Sequence, residues 1–170
     1  MTMPPGIRQL VLTAHVACSV GWLGAVAAFV ALALAGLLSD DVELVRGVYL
    51  AMEVTGWVVL VPLALASLLT GLLQSLGTTW GLFRHYWVVF KLAINVAATA
   101  VLFAYTQTLE QFADNARAAT TPADVEALRS PSPLLHSLAA LVLLFLATTL
   151  GVYKPRGLTP YGVRKLRQRR

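Results

Sequence analysis

The side chains of this chain best suited to chemistry are three histidines and a glutamate set in apolar sequence: His15, His85, His136 and Glu53. His15 stands inside a long apolar run and shares a helical face with Ser19 and Trp22, four and seven residues on. A polar side chain in such a run is costly and faces a partner or a cavity. His85 stands at the start of another run, and two histidines on different helices could clamp the iron of a b haem, or another metal ion, through their imidazole nitrogens. The competing reading makes His15 an interhelical hydrogen-bonding residue and His85, between Arg84 and Tyr86, a solvated interfacial one. Glu53 and His136 fall in the opposite layer. Antiparallel packing could join them as a proton-transfer or quinone site, because each partner shifts the other's pKa; the alternative is a buried hydrogen bond that fixes helix rotation. Lys91 reads as a snorkelling lysine with its ammonium among headgroups.

Other chemistries are poorly supplied. The single cysteine, Cys18, excludes an internal disulfide and a cysteine-cluster metal site. With only Met1, Met3 and Met52 beside it, soft ligands for copper are scarce. No Walker loop, dinucleotide fingerprint, hydrolase elbow or HExxH helix is present.

The elements that must position these residues follow from composition. Of 170 residues 58% are hydrophobic and 12% charged, with a mean hydropathy of +0.72, too apolar for an ordinary soluble domain. Four apolar runs, at about residues 10–38, 44–76, 86–106 and 134–153, each meet the roughly 20 residues needed to cross hydrocarbon. The first is too long for a signal-peptide core and reads as an uncleaved helix. The runs lack the alternation of barrel strands, and lipid offers peptide groups no partners, so the expected fold class is all-α: a polytopic membrane protein built as a four-helix transmembrane bundle in a single domain.

Local signals sharpen the boundaries. Ser132-Pro133 is expected to open the fourth helix and Lys154-Pro155 to close it. Pro62 is expected to kink the second, freeing the Val58 carbonyl. Residues 107–132 form a loop in which Thr121-Pro122-Ala123-Asp124 starts a short helix. In the second span Glu53, Trp57, Leu60, Ala64, Ser67, Gly71 and Gln74 trace the expected seam. Gly24, Ala27, Ala28, Ala31 and Ala35 offer close-approach steps on the first, and Lys91, Asn95 and Thr99 form an inward polar stripe on the third.

Charge sets the expected orientation. With four spans, ten of the thirteen basic residues lie on the side of the termini, and Arg46, Arg117 and Arg129 on the other. All eight acids lie toward that second side. The positive-inside rule then places both termini in the cytoplasm. The segment 154–170 holds seven basic residues and no acid. Having no folded domain and no stacking residue beyond Tyr161, it reads as a basic tail that contacts anionic lipid rather than nucleic acid.

His15 with Gly21-Trp22-Leu23-Gly24, and Arg84-His85-Tyr86-Trp87 followed by Lys91, give the chain a resemblance to a family of small uncharacterised bacterial four-span membrane proteins. More remotely it is similar to the membrane domain of copper-resistance protein D. The nearer resemblance covers most of the chain and implies a bacterial cytoplasmic (inner) membrane protein without an established activity; the remote one implies metal or haem handling. Two functions are therefore expected. One is a non-enzymatic scaffold or accessory subunit, with a second copy or another membrane protein as partner. The other is a small b-haem or metal-binding redox protein using His15 and His85.

Overall fold

The computed structural model describes residues 3–168, and these form an all-α bundle. Helix α1 (Pro5–Leu38) is followed by α2 (Val42–Thr55), a π-helical turn (Gly56–Leu60) and α3 (Val61–Leu76), which together make one continuous rod. Then come α4 (Tyr86–Ala118), α5 (Pro122–Leu128), α6 (Ser132–Tyr153) and α7 (Pro160–Arg167). The four long segments, Pro5–Leu38, Val42–Leu76, Tyr86–Ala118 and Pro122–Tyr153, are each long and apolar enough to cross a membrane. Their outer surface agrees with a lipid solvent: Leu10, Val58, Leu69, Phe90, Val142 and Phe145 all point outward and are more than half exposed.

The rods close into a ring in which α1 packs on the α2–α3 rod and on α6, and α4 packs on the same two from the opposite corner. The diagonal pairs, α1 with α4 and α3 with α6, do not approach. The core is built from Trp22, Val26 and Phe29 of α1, Leu60 and Ala64 of the second rod, Ala98 and Leu109 of α4, and Leu144 of α6, and several of these line an apolar cavity of about 210 Å³ that reaches Tyr105 and His136.

Pro62 acts by widening a turn. Its ring crowds the carbonyl four residues back and it has no N–H to give. The chain responds with a π turn in which the Val61 N–H reaches the Gly56 carbonyl, five residues back. The extra residue shifts the seam. Ala64 and Ser67 are buried as the spacing predicts, but on the far side of the turn the buried line runs through Leu60, Gly56 and Met52, one residue off from Trp57 and Glu53. Trp57 is 43% exposed.

Two further expectations are corrected. Gly24, Ala27, Ala28 and Ala31 face outward, because the bulkier Trp22, Val26 and Phe29 take the inner face of α1. Most of the 107–132 loop is helical, since α4 continues to Ala118 and stops only at the extended Ala119. The α5 start is as expected: Thr121 and Asp124 form a reciprocal capping box. Helix α6 begins at Ser132, so Ser132 is its first helical residue and not its cap, and Pro131 stands at the cap position with no side-chain hydrogen bond there.

The segment after α6 also folds. Lys154 ends α6 in the left-handed conformation (φ 45°, ψ 59°), turning the chain back under the bundle. Leu158 bridges His85, the Tyr86 N–H donates to the Gly157 carbonyl (3.3 Å), and the Thr159 N–H donates to the Arg84 carbonyl (3.0 Å). Thr159 then caps α7 by accepting from the Gly162 N–H. At the other terminus the Met3 N–H donates to the Gly77 carbonyl (3.0 Å). Both ends of the described chain therefore meet at the α3–α4 turn.

Candidate functional site

Three polar centres stand out, and each contains one of the histidines. The first lies within the bundle. His15 on α1 points at α3, where its Nδ1 is 3.2 Å from the Ser67 carbonyl oxygen and 3.1 Å from the Thr70 hydroxyl. A carbonyl only accepts, so Nδ1 carries the proton and Nε2 presents a lone pair. Lys91 on α4 fills that position, with Nζ 3.3 Å from Nε2. Thr70 gives its own proton to the Ala66 carbonyl (2.6 Å), which leaves its oxygen free to accept from His15. One turn along, Ser19 and Ser67 join hydroxyl to hydroxyl at 2.8 Å. Glycines make the room: a Cβ on Gly71 would stand 3.1 Å from the His15 ring, and one on Gly151 of α6 would stand 3.0 Å from the Lys91 ammonium. His15 and Lys91 thus draw on all four spans.

Lys91 is a correction to the snorkelling expectation, because its ammonium is turned inward to His15 instead of outward to headgroups. Asn95 and Thr99 do face inward, but each bonds a carbonyl one turn back on α4, Asn95 to Lys91 and Thr99 to Asn95. They carry the stripe without reaching another helix.

The second centre is at the opposite end. Glu53 forms an ion pair with Arg117, which also holds Asp114 (2.7 Å). His136 turns back on its own helix, with Nδ1 2.9 Å from the Ser132 carbonyl, and stacks on Tyr105 at 4.3 Å between centroids. No hydrogen bond or ion pair joins Glu53 to His136 among the described residues. Arg117 takes the carboxylate, and it could do so because α4 extends well beyond residue 106. Arg46 and Arg129 are also paired here, with Glu43 and with Asp40 and Glu126. The Trp57 indole donates to Glu110 (2.9 Å) and the Tyr49 hydroxyl to the Leu128 carbonyl (2.9 Å), which sew the second rod to α4 and α5.

The third centre contains His85. Its ring meets Trp80 edge to face at 5.1 Å, and Trp80 in turn packs against Trp87. These residues line a cleft of about 670 Å³ between the α3–α4 turn and the chain around α7, with Arg84, Lys154, Arg156 and Lys165 on its walls. Lys154 places its ammonium over the Trp80 ring, 5.7 Å from the centroid. His85 therefore belongs with the C-terminal segment, and no hydrogen bond joins it to the partners of His15 among the described residues.

The donor sets decide what metal or haem chemistry would fit. An iron on His15 would need the Nε2 lone pair, which Lys91 occupies, and would set a metal cation against an ammonium. His15 as arranged does not fit an axial ligand. No group of three or more His, Cys, Asp or Glu side chains is placed to hold a metal ion among the described residues.

Thr70, Gly71 and Gly151 were not singled out for chemistry by the sequence, although Gly71 was on the expected seam. The signal available was the spacing of Ser67, Thr70 and Gly71, which puts two hydroxyls and a gap on the face opposite His15. No protein-family model matches this chain, and neither does a curated protein or a solved structure.

Proposed function

We propose that this chain is a non-enzymatic membrane scaffold or accessory subunit, a rigid four-span bundle that presents its apolar faces to lipid and to a membrane partner or second copy. The observation that carries this reading is the occupation of His15: both ring nitrogens are engaged by groups of the bundle itself, Ser67 and Thr70 on one side and Lys91 on the other. Glu53 is likewise engaged by Arg117 of another helix, and His136 stacks on Tyr105 of α4. Polar side chains used in this way fix helix rotation in a solvent that gives packing little hydrophobic drive.

The charge division supports a bacterial cytoplasmic membrane with both termini on the cytoplasmic side, since the end bearing the termini holds ten of thirteen cations and none of the acids. The basic C-terminal segment would then lie against anionic lipid. The absorption spectrum and metal content of the detergent-purified protein, with and without His15→Ala, test the scaffold reading. The expected result is no Soret band, no stoichiometric metal and a modest loss of thermal stability. A Soret band or bound metal that disappears in His15→Ala would replace this reading with a redox one.

A further inference from the structure

The cations of this protein are treated differently at its two ends. Arg46, Arg117 and Arg129 each reach a carboxylate. Arg84, Lys154, Arg156 and Lys165 converge on the cleft beside His85, where no acid lines the walls and none of the four has a carboxylate partner among the described residues. Like charges gathered without a counter-charge repel, yet the fold holds them together. Backbone hydrogen bonds pin the 157–159 stretch to the α3–α4 turn, and Lys154 is kept in a left-handed conformation that L side chains rarely adopt. Four cations around a single hollow that no acid lines call for an anion with several acceptor oxygens.

The position of the cleft selects among anions. It begins at the residue after the last of α6 and reaches to the first turn of α4, so it stands at the level where a spanning helix leaves the hydrocarbon. Trp80 and Trp87 on its wall are the side chains that settle at that interface. We propose that this cleft binds the phosphate headgroup of an anionic glycerophospholipid, one per chain, with Lys154, Arg156 and Lys165 as its principal contacts. The proposal rests on the membrane reading above, and is independent of whether the chain is a scaffold or carries a redox centre.

The test uses the full chain in neutral detergent, reading tryptophan fluorescence while a short-chain phosphatidylglycerol, a short-chain phosphatidylcholine, or glycerol phosphate is added. Saturable binding of phosphatidylglycerol is expected, with phosphatidylcholine and glycerol phosphate much weaker. Arg156→Gln/Lys165→Gln should weaken phosphatidylglycerol binding about tenfold or more, since each cation near a phosphate contributes measurably. Arg164→Gln/Arg167→Gln removes the same charge from the same C-terminal segment outside the cleft, and should weaken it less than about threefold. All four positions are exposed, so folding should be unaffected. Equal losses in the two pairs, or no saturable change with any probe, would overturn the site. Glycerol phosphate binding as tightly as the lipid would overturn the lipid and assign the cleft to a soluble phosphate compound. None of these outcomes bears on the cofactor spectrum, so the two proposals fail separately.

Discussion

The Nε2 of His15 accepts from the Lys91 ammonium at 3.3 Å across the diagonal of the bundle, joining α1 to α4, whose backbones do not otherwise approach. A neutral imidazole meeting a lysine, with no carboxylate beside them, is a hydrogen-bonded lock and not an ion pair. The expected coupling between the two side chains is about 0.6 kcal/mol, the average for interhelical hydrogen bonds in membrane bundles, and no more than about 1.7 kcal/mol. A double-mutant cycle of His15→Ala and Lys91→Met, read by thermal unfolding in detergent, measures it. Strictly additive losses would remove the lock.

Gly71 leaves the space that the His15 ring occupies, and a Cβ there would stand 3.1 Å from the ring. Gly71→Leu should therefore cost about 1 to 3 kcal/mol by overpacking and by expelling the ring from Thr70 and Ser67. Leu72→Ala, at a half-buried neighbouring position, should cost less. Equal melting temperatures for the two variants would show that the glycine is not needed for the close approach.

The docking of α7 hangs on Gly162, where a Cβ would run into the Arg84 carbonyl oxygen. Backbone cannot yield as a side-chain tip can. Gly162→Ala should detach α7 and expose its basic residues to trypsin many times faster, while the melting of the bundle stays nearly unchanged. Unaltered cleavage of the C-terminal segment would contradict the docked arrangement.

Asp124 accepts from the Thr120 and Thr121 N–H groups, and these bonds hold its carboxyl below the ordinary 3.8. Since the folded value lies below the unfolded one, the stabilisation is complete above the unfolded value and is lost as pH falls through the folded one. Hydrogen exchange of α5 (Pro122–Leu128) should accelerate relative to the bundle below about pH 3.8. Asp124→Asn should show the faster exchange at neutral pH and lose the pH dependence.

Much of this architecture is legible in the chain. Length and apolarity mark all four long helices, Thr121-Pro122-Ala123-Asp124 marks α5, and the burial of Asn95, Thr99 and Ser67 follows from their spacing. Two things were not legible. Periodicity assumes an unbroken α-helix, so it cannot foresee the residue that the π turn adds, and it misplaces Glu53 and Trp57 by one position. Charge counting likewise reads 154–170 as a tail, because the contacts that fold it are backbone hydrogen bonds and the single hydroxyl of Thr159, neither of which enters a count of charge. The visible marks were Thr159-Pro160, a cap followed by a first-turn proline, and Gly162. Lys91 was assigned outward because a lysine near a helix end has water within reach, and only the ring of His15 on the far helix shows why it turns in.

The wide turn at Gly56–Leu60 means that this chain carries one residue of slack at the middle of its second rod. In a regular helix one residue is about 100° of rotation, so tightening the turn at constant sequence would swing the outer half round, carrying Glu53 inward in place of Met52 and away from Arg117. Deleting Val58 together with Pro62→Ala would take up the slack instead. Met52 and Gly56 would then fall seven and three positions before Leu60, on the face they already share, in an unbroken helix. Such a shortened chain should keep its fold and its Glu53–Arg117 pair, because a residue removed between Gly56 and Leu60 leaves the register of both halves of the rod in place.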